Sequence, residues 1–485
     1  MEFLQGIIQF FSVNILQKPE FFVGLLVLIG YMLLKKPLHE VFAGFIKATV
    51  GYMILNVGAG GLVTTFRPIL AALNVKFGLN AAVIDPYFGL AAVNKQMEAQ
   101  LPDFVSAATT ALLIGFLVNI VLVLFRKITK VRTLFITGHI MVQQATTISW
   151  IVLFLIPSLR NVWGIVTIGV LCGLYWAVSS NLTVEATQNL TGGAGFAIGH
   201  QQQFAVWLTD KVAGKIGDPN KGLDDIKLPK FLSIFHDNVV ASATLMLVFF
   251  GSVLTILGPE ILTDKEIVGN AVYNPAKQEF FMYIISTALM FSVYLVVLMT
   301  GVRMFVAELT NSFQGISSKL LPGSVPAVDC AATYGFGSPN AVLFGFVSGA
   351  IGQFITIGLM ILFKNPVLII TGFVPVFFDN ATIAVFANKR GGAKAAMILP
   401  FISGILQVVG GAIAVSILQL SGGHHGNIDF TTVWAAIPGL FSVTGVVGVV
   451  LIAIGFLAIP QLQFMKAKDK EKYYNAQVQD DVVNV

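Results

Sequence analysis

Long apolar stretches with few or no charged residues recur along the chain, separated by short polar segments. A helix needs about 20 apolar residues to cross the hydrocarbon core of a bilayer. Ten such stretches are residues 21–34, 41–66 (with Lys47 inside), 104–125, 133–159, 161–184, 238–258, 280–302, 340–363, 395–420 and 431–465. Because several could hold a span plus a half-helix, the pattern predicts an all-α polytopic membrane protein with about 11 transmembrane helices.

The composition excludes most soluble classes of protein. Only 11% of the 485 residues are charged and 56% are hydrophobic, whereas a soluble domain carries about 25% charged residues. So few charges could not cover a soluble globule of this size, which argues against a cytosolic enzyme, a disordered protein or a nucleic-acid binder. The two cysteines, Cys172 and Cys330, lie in apolar surroundings, which favours free buried thiols over a disulfide.

The basic residues cluster between the apolar stretches, and such clusters set the orientation of membrane proteins. Lys35 and Lys36 follow the first stretch, and further clusters occupy residues 126–132, 211–230 and 466–472. All four clusters can be cytoplasmic if the N-terminus is periplasmic and an odd number of spans separates it from the tail. The first apolar stretch has no small-residue cleavage site, so we expect no cleaved signal peptide.

Two segments with similar sequence suggest an internal repeat. L-F-I-T-G-H at 134–139 resembles L-I-I-T-G-F at 368–373, and each runs into a polar cluster. We predict inverted repeats, a common transporter architecture in which the substrate site lies at the repeat interface. The predicted units are a first repeat with a re-entrant hairpin near 131–146, a second with a hairpin near 366–388, and a cytoplasmic tail, at residues 1–235, 236–465 and 466–485.

Two clusters of uncharged polar side chains are candidates for ligand binding, because polar groups in lipid are costly. His139 and Gln143 are four residues apart and would share one helical face, where they suit a polyhydroxylated ligand. The alternative is a polar pair that joins two packed helices. His200 and Gln201 open a run of four polar residues after a glycine, which allows an unwound backbone with free amides. The alternative there is a cytoplasmic loop.

Isolated acidic residues form a second group of candidates. Asp329 could accept hydrogen bonds from ligand hydroxyls or bind a coupling cation, or it could only cap the following helix. Asp85 is its counterpart in the repeat and has the same alternatives, and Tyr87 beside it adds an aromatic face and a hydroxyl. Asp379 lies at the predicted tip of the second hairpin, where the alternative is a hydrogen bond between helices.

Other polar residues carry less weight. Arg303 and Glu308 flank the end of a span, and His236 resembles a helix start. The pair His424-His425 lies in a glycine-rich segment, where we expect solvent exposure, and two adjacent histidines are too few for a metal site. We therefore predict no metal, no cofactor and no catalytic residue. The chain has no P-loop, so its energy must come from an ion gradient or from partner proteins.

Five motifs together resemble the ascorbate-specific membrane component, enzyme IIC, of the bacterial phosphotransferase system. The motifs occur in one order from the first span nearly to the tail, which argues against chance. They are I-T-G-H-I-M-V-Q-Q at 136–144, G-H-Q-Q-Q-F at 199–204, L-P-K-F-L-S-I-F-H-D-N at 228–238, G-V-R-M-F-V-A-E-L at 301–309 and N-A-T-I-A-V-F-A-N at 380–388.

The resemblance implies a homodimer in the bacterial inner membrane, with a dimerising scaffold and a mobile core that moves as a rigid body. It implies transport of L-ascorbate. A separate IIB protein would phosphorylate the ascorbate in the cytoplasm, and a IIA protein would recharge IIB. Phosphoryl transfer would then belong to the partners. The substrate-binding residues carried over are His139, Gln143, His200, Gln201, Asp329, Tyr87, Ala59, Pro86 and Asp379.

The chain departs from the family pattern at three of these positions. The family that the motifs resemble has small hydroxyl residues at the positions of Ala59, Pro86 and Asp379. Which contacts these three residues make with a ligand is therefore left open. Two other functions also stay open. One is an ion-coupled transporter of a small anionic or polyhydroxylated solute, with Asp85, Asp329 or Glu308 carrying a proton or sodium ion. The other is a membrane enzyme using a histidine, although no nucleophile, base and acid occur as a set.

Overall fold

The structure is a computed structural model that describes residues 18–77, 80–223, 238–268, 273–321 and 323–475. Helices make up most of these residues. The predicted helix start at His236, the boundary between the two predicted repeats and the last ten residues of the predicted tail lie outside the described residues.

The first half of the chain contains nine α-helices within the described residues. They are α1 (Pro19–Leu33), α2 (Leu38–Phe77), α3 (Pro86–Gln100), α4 (Ala107–Leu124), α5 (Arg126–Thr129), α6 (Gly138–Leu155), α7 (Val162–Leu182), α8 (Val184–Thr191) and α9 (Gln203–Ile216). Pro86 opens α3 at a position where its missing N–H is not needed.

The second half has a similar alternation of long and short helices. They are α10 (Asn238–Leu257), α11 (Pro259–Thr263), α12 (Lys265–Val268), α13 (Phe280–Leu320), α14 (Pro339–Leu362), α15 (Asn380–Leu418), α16 (Ile428–Thr431), α17 (Val433–Thr444), α18 (Val446–Lys466) and α19 (Lys470–Asn475). A π-helical turn at Pro375–Asp379 leads into α15, which is kinked at Gly392, where φ is 62°.

Six helices of the described residues are long and apolar enough to cross a membrane. They are Leu38–Gly58, Gly138–Leu155, Val162–Leu182, Asn340–Leu362, Pro375–Leu418 and Val446–Lys466. On the last of these, Val447, Leu451 and Ile454 are exposed, and a soluble protein rarely leaves such a surface to water. The prediction of a helical polytopic membrane protein is confirmed at this level, and the count of 11 spans stays a prediction.

Within the part of the chain that the structure describes, six short strands form two parallel sheets among these helices. The strands are β1 (Asn80–Ile84), β2 (Thr133–Phe135), β3 (Ala197–Ile198), β4 (Val325–Val328), β5 (Val367–Thr371) and β6 (Gly422–His424). The sheet orders are β5-β1-β6 and β2-β4-β3, and every pairing is parallel. The sequence pattern did not indicate the strands, because short strands buried on both faces look like parts of an apolar helix.

Amide side chains satisfy the free edge of β2, which lies among helices. Asn119 of α4 donates to the Thr133 carbonyl at 3.0 Å and accepts from the Phe135 N–H at 2.9 Å. The Asn181 side chain accepts from the Arg132 N–H at 3.0 Å, just before the strand begins. An unpaired strand edge in an apolar interior would leave backbone groups without hydrogen bonds. These two asparagines therefore supply the hydrogen bonds that the edge of β2 needs among apolar helices.

The helices form two groups. In the first group, α13 packs along α1, α2 and α10. In the second group, α14 packs along α15 and α4 packs on α7. Helix α9 packs against α15, and α18 packs against α7. Contacts between the groups include α2 against β1 and α3, and α13 against β4 and α6. Both sheets, and the polar residues at their ends, therefore lie where the second group faces the first.

Candidate functional site

The two sheets have equivalent ends. Each middle strand, β1 or β4, is followed by an aspartate that caps the next helical segment. Asp85 Oδ1 accepts from the Tyr87 N–H at 3.0 Å, and Asp329 Oδ1 accepts from the Ala331 N–H at 2.9 Å. The strands that pair with them, β2 and β5, carry the two similar sequence segments. This common plan supports the pairing of Asp85 with Asp329 in two repeats, which stays a prediction.

A cluster of three titratable side chains lies at the end of the sheet β2-β4-β3. His139 is in the first turn of α6, Asp329 follows β4, and His200 follows β3. Nε2 of His139 lies 3.8 Å from Oδ2 of Asp329. The two imidazole rings meet edge to face, with centroids 6.4 Å apart. Three distant segments thus contribute to one site, in which both histidines are buried and Asp329 is partly exposed, because the parallel strands end at the same edge.

Backbone and side-chain contacts hold His200 in place. Gly199 packs against β4 so closely that a Cβ there would come within 2.6 Å of the Ala327 carbonyl oxygen. Nδ1 of His200 is 2.7 Å from Oε1 of Gln202, and the His200 carbonyl accepts from the Gln144 amide at 2.8 Å. The imidazole of His200 therefore has a fixed position and one occupied nitrogen.

A chain of hydrogen bonds runs from α6 to the loop after β6. The Gln201 amide donates to Oε1 of Gln143 at 2.6 Å, and Oε1 of Gln201 pairs with Nε2 of His425. Nδ1 of His425 is 2.9 Å from the hydroxyl of Thr147, and its ring stacks on Phe430 with centroids 3.8 Å apart. This chain of hydrogen bonds fixes both glutamine side chains.

The prediction that His424 and His425 are solvent-exposed is wrong. Each is only 1% exposed. Strand β6 pairs with β1 in parallel, so the glycine-rich segment enters the interior instead of forming a surface loop. The signal in the sequence was the histidine pair itself, in an otherwise apolar half of the chain.

Asp429 is a second buried polar residue that the sequence did not single out. Its carboxylate accepts from the N–H groups of Phe204 and Ala205 and from the Tyr175 hydroxyl, at 3.1–3.3 Å. The first N–H groups of a helix have no partner within the helix. Asp429 supplies this partner for α9 and so fixes the segment that carries His200 and Gln201.

Three other predicted site residues lie in helices α2 and α3. Tyr87 is buried at the start of α3, and its side chain interacts with Gln143. Pro86 is buried beside it as the first residue of α3. Ala59 lies within α2, and its side chain is outside the described part of the structure. Tyr87 is therefore the member of this group that joins the polar site through a side-chain contact.

Asp379 lies in a separate, fully hydrogen-bonded environment. Its carboxylate accepts from the Asn427 amide at 2.8 Å, the Ile428 N–H at 2.7 Å and the Gln407 amide at 3.0 Å. The side chain has no measurable exposure. These contacts match the alternative in which Asp379 joins helices, since it links α15 to the segment before α16.

An aromatic side chain from the other helix group covers the site. Phe305 of α13 meets the ring of His139 edge to face, with centroids 5.6 Å apart, and packs on Tyr52 of α2 at 5.4 Å. His139 and Asp329 thus face the boundary between the two groups. Two imidazoles, amides and one carboxylate at this boundary can donate and accept several hydrogen bonds to a small polar molecule.

The fold and site define an integral membrane protein with polar groups gathered among its helices. Residues 14–460 match the model of the family EIIC-GAT, described as the sugar-specific permease component of PTS systems. The chain belongs to this family.

A relative in Mycoplasma pneumoniae (strain ATCC 29342 / M129) is named "Ascorbate-specific PTS system EIIC component". It is 36% identical over an alignment of 427 residues, and the match covers 82% of this chain and 64% of the relative. The chain therefore spans less than two thirds of that protein's length.

Proposed function

We propose that this chain is the permease of a phosphotransferase system that binds L-ascorbate and carries it into the cell. One observation carries the proposal: His139, His200 and Asp329 converge from three distant segments, with Gln143 and Gln201 linked to each other nearby. The family and the name of the 36% identical relative agree with this substrate.

The chemistry of the site suits this ligand. Ascorbate is an enediol acid that is anionic at neutral pH and rich in hydroxyl groups. The N–H groups of His139 and Gln201 would donate to the anionic ring, and hydrogen bonds to a charged group are strong. Nδ1 of His200 donates to Gln202, so its Nε2 would accept from a hydroxyl of the ligand. Asp329 would repel the anion unless it accepts from side-chain hydroxyls, so we place the hydroxyl-bearing end of the ligand against it. Tyr87 and Gln143 would complete the pocket.

The remaining positions in the predicted contact set have different expected roles. We propose that Pro86 shapes the start of α3 under Tyr87, and that Ala59 approaches the ligand only through its backbone. Asp379 would act by holding α15 in place, because three donors already occupy its carboxylate. The missing hydroxyl groups at these three positions would then cost little affinity.

The position of the site between the two helix groups supports transport by movement of one group against the other. We propose that the group with the two sheets is a mobile core and that the group with α2 and α13 is the scaffold of a homodimer. Phe305 would be a scaffold contact that ascorbate passes as the core moves. The C-terminus would be cytoplasmic and the N-terminus periplasmic, in a bacterial inner membrane. Phosphorylation by IIB, recharged by IIA, would trap the product without any cofactor on this chain.

Vesicle uptake tests the proposal. Vesicles containing the chain and loaded with phosphorylated IIB should accumulate ascorbate phosphate without an ion gradient. Vesicles with unphosphorylated IIB are the control and should accumulate none. Uptake that needs a proton or sodium gradient and ignores IIB would overturn the proposal.

That second outcome would support an ion-coupled transporter. The contact that favours this alternative is the 3.8 Å approach of His139 and Asp329, because such a pair could exchange a proton. Asp329→Asn should then remove the dependence of uptake on the gradient.

A further inference from the structure

His139, His200 and Asp329 also have the composition of a metal site. We propose that these three side chains bind a borderline divalent cation such as Zn²⁺. Two imidazoles and one carboxylate are a common set of protein ligands for zinc, and three protein ligands leave a fourth position for water or a small molecule. The inference rests on the side chains alone and does not require that ascorbate is the substrate.

The spacing of the three groups suits one ion. One ring nitrogen of each histidine and one carboxylate oxygen lie within 4.8 Å of one another. Nε2 of His139 and Oδ2 of Asp329 are 3.8 Å apart. Zinc with bonds of about 2.0–2.1 Å holds tetrahedral ligand atoms about 3.3 Å apart. Small side-chain rotations would therefore bring the three atoms onto one ion.

The hydrogen bonds of His200 prepare it for this role. Oε1 of Gln202 accepts from the Gln201 N–H at 2.8 Å and lies 2.7 Å from Nδ1 of His200. The amide group of Gln202 donates to the Thr382 hydroxyl at 3.0 Å, so Oε1 is the acceptor and Nδ1 carries the proton. Nε2 of His200 then has the lone pair. A zinc-binding histidine is usually held in this way, by a second residue that accepts its other N–H.

His139 supplies the second observation. The ring is 6% exposed, and its Nδ1 has no hydrogen-bond partner among the described residues. Its Nε2 has the carboxylate of Asp329 at 3.8 Å, which is too long for a hydrogen bond. Buried polar groups without partners are uncommon and costly. Coordination through Nε2 would give the nitrogen nearest Asp329 a partner, and Nδ1 would keep its proton without an acceptor among the described residues.

The ligand types select the class of metal. Mg²⁺ and Ca²⁺ prefer all-oxygen sites, whereas imidazole nitrogen suits zinc and its neighbours in the first transition row. One carboxylate with two neutral imidazoles leaves a bound divalent ion with one uncompensated positive charge. An anion could occupy the open position, so zinc would either compete with ascorbate for these side chains or bind together with it.

Zinc binding to the purified chain tests the inference without any transport assay. Untagged protein in detergent is stripped with a chelator and dialysed against Zn²⁺ alone. We expect one zinc per chain. His139→Asn, His200→Asn and Asp329→Asn should each lower the affinity by more than about 100-fold, and Gln202→Leu by about 10–100-fold, the range known for residues that orient a ligand. His39→Asn, at an exposed histidine of α2, is the matched control and should change nothing.

Two results would reject the site. One is unchanged zinc binding in the His139, His200 and Asp329 variants, and the other is loss of binding in His39→Asn. X-ray absorption on zinc-loaded wild-type protein covers the case in which a variant does not fold. A shell of nitrogen and oxygen near 2.0–2.1 Å is expected, and a sulfur shell near 2.3 Å, which would implicate Cys330, would overturn the assignment. Lost uptake with intact zinc binding would reject only the proposed transport function.

Discussion

At the end of the sheet β5-β1-β6, both oxygens of Asp85 accept backbone hydrogen bonds, from Tyr87 at 3.0 Å and from Val374 at 3.2 Å. At the end of the sheet β2-β4-β3, Oδ1 of Asp329 accepts the hydrogen bond that caps the following helical segment, and Oδ2 lies 3.8 Å from Nε2 of His139. Asp85 is 2% exposed, whereas the Asp329 side chain is 18% exposed. The same backbone plan thus ends in a closed site on one side and an accessible site on the other.

The difference indicates that one sheet end contributes mainly to the stability of the fold, whereas the equivalent end of the other sheet remains able to bind a ligand. A buried group whose hydrogen bonds are all made within the protein stabilises the fold and has little left for a ligand. Asp85 and Asp379 are of this kind. His139 and Asp329, next to the boundary between the two helix groups, retain capacity for further bonds. The following predictions test this division, beginning with the largest effect.

Asp379→Ala should cause the largest loss of stability. The substitution leaves three buried donors without their acceptor, those of Asn427, Ile428 and Gln407. At about 1–3 kcal/mol for each of the three unsatisfied groups, we expect a loss of about 3–9 kcal/mol in the free energy of unfolding. Denaturant unfolding in detergent measures it, and Asp379→Asn should lose less. Wild-type stability combined with lost ascorbate binding would make Asp379 a ligand contact instead.

Asp329→Asn and Asp85→Asn form a matched pair with opposite expected results. Asn can still cap the helix in both cases. At Asp329 it removes the acceptor for ligand hydroxyls, so ascorbate affinity should fall about 10–100-fold, as for loss of a charged hydrogen bond, with near-normal stability. At Asp85 one backbone donor loses its acceptor, so unfolding should become easier by about 1–3 kcal/mol with affinity retained. Calorimetric titration and thermal unfolding separate the two, and equal behaviour of both variants would contradict the division.

The sequence allowed prediction of the membrane helices and of the polar candidates for a simple reason. Polar side chains inside apolar stretches are conspicuous, so His139, His200 and Asp329 could be selected before any fold was known. Their proximity depends on pairing of β2, β3 and β4, which are far apart in the chain and too short to show a period of two. Their role in binding stays a prediction.

The errors have a similar origin. His425 looked exposed because glycine-rich segments usually form surface loops. Pairing of β6 with β1 brings it inside, and no local pattern indicates such a contact. Asp429 was not selected because its function, capping the start of α9, depends on a helix more than 200 residues earlier in the sequence.

His425→Phe should weaken ascorbate binding about tenfold. Phenylalanine preserves the stacking on Phe430 but removes the partner of Gln201 Oε1. The freed glutamine would lose its fixed orientation, at a cost of about 1–2 kcal/mol for an unsatisfied buried group. His424→Asn is the neighbouring control, because Asn can still accept from the Gly426 N–H. Unchanged affinity in His425→Phe would show that Gln201 is held without it.

Thr147→Val should have the smallest effect. It removes only the hydroxyl next to Nδ1 of His425, one step farther from the proposed pocket, so ascorbate affinity should fall about two- to fivefold, as for one neutral hydrogen bond of about 0.5–1 kcal/mol. A double variant with His425→Phe makes the test sharper. If Thr147 acts through His425, the double variant should bind no more weakly than His425→Phe alone. Additive losses would show that Thr147 supports the site by another route, through its own bond to the Gln143 carbonyl at 3.1 Å.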